Sequence, residues 1–68
     1  MTNAEKIKAR ILEMGLTQAE LAKKIGVATP TICQKINNHR PFTLSEAEQV
    51  ASILEIDNTE FGTYFFAK

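Results

Sequence analysis

An all-α fold, a compact bundle of five short helices, is what this chain of 68 residues predicts. Three observations carry that expectation. Apolar residues recur at i, i+3, i+4 and i+7 in successive segments, the period of a helix that buries one face. T-x-x-E tetrads stand at Thr2–Glu5, Thr17–Glu20 and Thr43–Glu46, each at the start of a periodic run. In such a tetrad the hydroxyl and the carboxylate each accept from a backbone N–H that the helix start leaves unpaired. Gly15 and Gly26 follow two of the runs, where a left-handed residue ends a helix.

The first helix is expected over residues 3–14. The Thr2-Asn3-Ala4-Glu5 tetrad opens it, and Ile7, Ile11 and Met14 or Leu12 form its buried stripe. The second begins at Thr17, with Leu21, Ala22 and Ile25 on one face, and Gly26 ends it. Val27 can bury as the chain turns. Thr29 is expected to cap a third helix with Pro30 at its first position, where the missing N–H costs nothing. Ile32 and Ile36, four apart, anchor that helix to the core and leave Thr31, Cys33, Gln34, Lys35 and Asn38 for its other faces. Ala22 is small and lets the second and third helices approach closely. Arg40-Pro41-Phe42 is a short rigid connection with Phe42 placed to bury. The fourth helix carries Ala47, Val50, Ala51 and Leu54 at helical spacing. Asp57 or Asn58 can cap a last helix through Glu60–Phe66. No repeat, low-complexity segment or long linker divides the chain, so one domain over residues 1–68 is expected.

Composition narrows the functions. One small domain buries only a modest core. No apolar run approaches the roughly 20 residues that span a membrane. Residues 1–16 are charged and periodic, unlike a signal peptide. The single cysteine cannot form an internal disulfide, which suits a reduced, cytoplasmic setting. Neither a nucleophile–base pair, a metal-ligand cluster nor a Gly-rich phosphate loop is visible, so neither an enzyme nor a cofactor is expected. The formal net charge is zero, but it is unevenly spread. Residues 1–40 hold seven Lys or Arg against three Glu, net +4, and residues 41–68 are net −4. Such asymmetry suits a protein with one face toward phosphate. Seven basic residues are nonetheless a small stock, so few phosphate contacts per monomer are expected, supplemented by backbone N–H groups and helix dipoles.

Two short helices joined by a tight turn at about residues 17–38, the second with a polar outer face, form a helix-turn-helix. LTQAELA (Leu16–Ala22), the turn Gly26-Val27 and T-I-x-Q (Thr31–Gln34) stand in order with a familiar spacing. In this combination the chain resembles the Cro/CI-type (XRE) helix-turn-helix family over about residues 7–56. FTLSEAEQVASILEI (Phe42–Ile56) is similar to the fourth helix of phage repressor-like domains. Two positions depart from the pattern. Lys35 stands where the family usually has an apolar residue, with Ile36 one later. Asn38 stands where many relatives have glycine, and asparagine tolerates the left-handed conformation better than most residues.

The resemblance implies a lambda repressor-like DNA-binding domain and a phage or prophage Cro- or repressor-like transcriptional regulator. It would act at the nucleoid in the cytoplasm of a bacterial host. The chain's length is closer to a Cro-like regulator than to a two-domain repressor. Residues 29–38 would lie in the operator major groove, with Thr29, Pro30, Thr31, Cys33 and Gln34 reading bases. Gln18, Lys35, Asn38, His39 and Arg40 would hold phosphates. Lys6 and Arg10, one turn apart on the first helix, would either reach flanking phosphates or form a solvated face. His39 has no partner at metal-ligand spacing. A redox role for Cys33 has little support, since only Lys35 and the helix itself could lower its pKa.

Phe61–Lys68 holds four of the five aromatic residues. Phe61, Tyr64 and Phe65 could seal the core, while Phe66 and Tyr64 are candidate dimer contacts for a homodimer assembled at least on DNA. The alternative is a protein-interaction module on the same fold: an antirepressor, a repressor modulator or an antitoxin. Zero net charge and the aromatic tail favour it, and it implies a protein partner.

Overall fold

The computed structural model describes residues 1–66, so the last two residues of the Phe61–Lys68 segment lie outside it. Its helices are α1 (Ala4–Glu13), α2 (Gln18–Ile25), α3 (Thr29–Ile36), α4 (Leu44–Ile53) and α5 (Phe61–Phe65). A 3-10 turn at Asn58–Glu60 leads into α5. The described residues form the expected all-α bundle of five short helices.

Every helix contributes to one core: Ile7 and Ile11, Leu21 and Ala22, Ile32 and Ile36, Ala47, Val50 and Ala51, then Tyr64 and Phe65, with Leu54 beside α4. Fully burying an aliphatic side chain of this size stabilises by about 1.5–3 kcal/mol. Met14 packs partly against this core, whereas Leu12 is 77% exposed. Phe65 receives Phe42 edge-on, at 5.6 Å between centroids, and Phe61 at 4.8 Å.

Two of the three T-x-x-E tetrads close as capping boxes. Thr17 Oγ1 accepts from the Glu20 N–H at 3.1 Å, and Glu20 Oε1 accepts from the Thr17 N–H at 3.0 Å. Thr43 and Glu46 repeat the arrangement at 3.1 and 2.9 Å. The first tetrad does not close. Asn3 caps α1 instead, its Oδ1 accepting from the Lys6 N–H. The reason is tertiary: Thr2 is buried, with its backbone engaged by Asn38. The Thr2 N–H donates to Asn38 Oδ1, and Asn38 Nδ2 donates to the Thr2 carbonyl, both at 2.9 Å.

Helix α3 departs from expectation at both ends. Its N-cap is Ala28, without a side-chain hydrogen bond, so Thr29 is already helical and Pro30 stands one position further in. The first four N–H groups of a helix have no intrahelical partner, so proline is tolerated there too. The helix stops at Ile36, short of residue 38, because Asn38 turns left-handed at φ 66°. Gly26, at φ 81°, ends α2 as its position predicts. Asp57 caps the 3-10 turn through the Thr59 N–H, which makes α5 shorter than expected.

Arg10 is engaged within the chain. Its Nε donates to the Leu54 carbonyl at 2.8 Å and its Nη2 to the Glu55 carbonyl at 3.3 Å, closing the end of α4. A cation there also complements the helix dipole. The Lys6 ammonium lies 4.9 Å from the Tyr64 ring centroid.

Substituting the two leucines tests this burial pattern. Leu21→Ala is expected to destabilise by about 2–5 kcal/mol, and Leu12→Ala to stay within about 0.5 kcal/mol of the parent chain. Urea unfolding followed by circular dichroism reads both.

Candidate nucleic-acid interface

The turn Gly26-Val27-Ala28 sets α3 against α2. The Val27 N–H donates to the Ala22 carbonyl at 3.0 Å, holding the turn to the end of α2. Ile32 and Ile36 are fully buried, and the next residue on the inward side is Lys35, only 8% exposed. The opposite face of α3 presents Thr29, Pro30 and Gln34 to solvent, with Thr31 and Cys33 half-buried at its edges. Pro30 and Gln34 are four residues apart and therefore share a face.

Gln18, the first residue of α2, meets Cys33 on α3. The thiol donates to Gln18 Oε1 at 2.9 Å. The carbonyl end of Gln18 is thereby engaged, and its NH2 end remains to donate. The loop after α3 folds back on the helix end. The His39 and Arg40 N–H groups both donate to the Gln34 carbonyl, at 2.8 and 3.3 Å, and Asn37 Nδ2 donates to the Cys33 carbonyl. These contacts fix the backbone while leaving the His39 and Arg40 side chains exposed. Asn38 lies among them, but its amide holds Thr2.

Lys35 is a correction. Expected at a phosphate, its ammonium instead donates to both oxygens of Glu46 on α4. Its stem occupies the place of the apolar residue that the family pattern leads one to expect, and its charged end reaches a carboxylate. The signal was available: a lysine at an apolar register position needs an acid, and Glu46 opens the next helix. Tyr64 is a second correction, buried in the core rather than offered to another subunit. Phe66 is 62% exposed.

The Glu46 carboxylate accepts three hydrogen bonds, two from Lys35 and one from the Thr43 N–H. The Lys35 hydrogen bonds, then the Thr43 N–H, hold its carboxyl below the ordinary 4.5, against the opposing effect of burial. A carboxyl whose folded pKa is depressed adds stability that is full above its unfolded pKa. That stability is lost as pH falls through the folded value. Glu46→Gln is therefore expected to destabilise at pH 7, by about 1–3 kcal/mol, because it strands the Lys35 ammonium. The gap to the parent chain should narrow as pH drops below about 4.5. Urea titrations of both proteins across pH 3–7 check this, and a constant gap would refute it.

Among the described residues, no helix is long and apolar enough to cross a membrane, and no cluster of His, Cys, Asp and Glu could hold a metal ion. A search among curated proteins gave no match. The helix-turn-helix family profile matches residues 7–61, from the middle of α1 to the start of α5. The match contains both helices and the turn between them, and such a domain points to DNA-binding regulation. The chain belongs to the helix-turn-helix family.

Proposed function

We propose that this protein is a sequence-specific, double-stranded DNA-binding transcriptional regulator. We take it to be a phage or prophage regulator of the Cro- or repressor-like kind, laying α3 in the major groove of its operator. The observation that carries this reading is the outer face of α3. Once Ile32, Lys35 and Ile36 turn inward, Thr29, Pro30 and Gln34 form a polar, exposed surface on a helix braced from behind.

The chemistry of that face fits base edges. A glutamine amide pairs bidentately with adenine N6 and N7, and the Pro30 ring and Thr29 methyl suit a thymine methyl. Thr31 and Cys33 flank them for closer apolar contact. Gln18 brings its NH2 group, at the N-terminus of α2, to the phosphate beside the groove. Arg40 and His39 extend the backbone contact, with Asn38 fixing the loop that carries them. Lys35 leaves this set, so Arg40 is its one permanently charged member. A homodimer on DNA would place two α3 helices about 34–36 Å apart, one duplex turn, with Phe66 as the exposed contact.

Fluorescence-anisotropy titration tests the reading, using DNA from the gene's own upstream region and a scrambled duplex at several salt concentrations. Tighter binding to the native DNA is expected, with log affinity falling linearly in log salt. Gln34→Ala should cost about 1–3 kcal/mol on the native site and relax the preference. Arg40→Ala should weaken both duplexes alike and reduce the salt slope by about one. No binding to either duplex at low salt would overturn the proposal in favour of a protein-interaction module.

A further inference from the structure

Asn38 takes a left-handed backbone at φ 66°. Glycine adopts that conformation most readily, so the turn by itself does not call for an amide side chain. The amide has another use. Its Oδ1 accepts from the Thr2 N–H and its Nδ2 donates to the Thr2 carbonyl, both at 2.9 Å and partly buried, across 36 positions of the chain. A carboxamide carries an acceptor and a donor side by side, so Asn38 pairs with Thr2 as a neighbouring strand would. The Asn3 N–H donates to the Tyr64 carbonyl at 2.8 Å, and Thr2 is only 8% exposed. Residues 2 and 3 thus run as a seated strap from α5 to the loop after α3.

On its other side the loop is held by the end of α3, where the His39 and Arg40 N–H groups share one acceptor, the Gln34 carbonyl, at 2.8 and 3.3 Å. The side chains of both residues are exposed. We infer that the strap positions this loop for phosphate, with Asn38 a positioning residue that acts through Thr2 rather than a phosphate ligand. The inference rests on the function proposed above. A loop already fixed from both sides loses less conformational freedom when it binds. Thr2 is too buried to meet a duplex itself, so its effect on binding has to pass through the residues it touches, and Asn38 is the one that belongs to the loop.

Thr2→Gly and Asn38→Gly, singly and together in the whole chain, test the strap. Thr2→Gly removes the buried side chain that seats it and leaves the Asn38 amide in place. Asn38→Gly keeps the left-handed turn and removes the amide. Matched circular dichroism spectra establish that the variants fold. The Kd for the native upstream duplex should rise about fivefold or more in each single variant, with a shallower salt slope. The double variant should bind little worse than the poorer single, because both break one coupling. Amide hydrogen exchange at His39 should quicken about tenfold in both, while Ile32 keeps its protection. Asn38→Gly binding as tightly as the parent would overturn the inference, since only the backbone turn would then matter. So would weaker binding by Asn38→Gly with none by Thr2→Gly, the mark of an amide that touches phosphate directly. A chain that binds neither duplex, yet shows quickened exchange at His39 in both variants, refutes the proposed function and leaves the strap's hold on the loop established.

Discussion

One carboxylate, that of Glu46, ties the outward-facing helix to the rest of the molecule. It closes the start of α4 through the Thr43 N–H and takes the Lys35 ammonium from α3. Burying an ammonium without a partner is unfavourable by several kcal/mol, so Lys35 can turn inward only where that acid waits. Once it does, the rotation of α3 has little freedom. Ile32 and Ile36 alone would tolerate some roll about the helix axis, since hydrophobic burial has no direction. A hydrogen-bonded ion pair beside them does have direction. We read Lys35–Glu46 as the element that selects which side chains of α3 meet solvent.

A second group of polar contacts fastens the chain ends. Asn38 holds Thr2 across 36 positions, the Tyr64 carbonyl accepts from the Asn3 N–H, and Arg10 reaches the end of α4 across 44. A core this small leaves little hydrophobic stabilisation in reserve. Hydrogen bonds that join distant segments, each contributing about 0.5–1.5 kcal/mol net, matter correspondingly more. They also join the regions that function would use. The N-terminal segment rests on the residue that ends the loop-ward side of α3, and α5 rests on the N-terminal segment.

Legibility from sequence followed the range of the forces involved. The capping boxes at Thr17 and Thr43, the stop at Gly26 and the apolar stripes of α2 and α4 depend on residues within a turn or two of each other. All were readable. The misread positions were decided by partners far along the chain. Thr2 lost its capping role to Asn38, Arg10 was drawn to carbonyls beyond α4, and Lys35 was drawn to Glu46. Each is a polar side chain at a helix face or end, where local periodicity cannot separate solvent from a distant acceptor. Tyr64 shows the converse limit. Four aromatics in six residues say that some are buried, but only the packing of α5 decides that Tyr64 and Phe65 go in and Phe66 stays out.

These corrections sharpen the electrostatics. The basic excess of residues 1–40 suggested a broad positive face, but Lys35 is neutralised by Glu46, Arg10 closes α4 beside Glu13, and Lys6 lies over Tyr64. Among the described residues, Arg40 after α3 and Lys23 and Lys24 on α2 are exposed cations without an ion pair. A DNA interface built this way leans less on bulk charge than on fixed geometry: braced helix termini, oriented N–H groups and amide side chains. Its affinity should therefore depend only shallowly on salt and steeply on how well base edges match Gln34 and its neighbours.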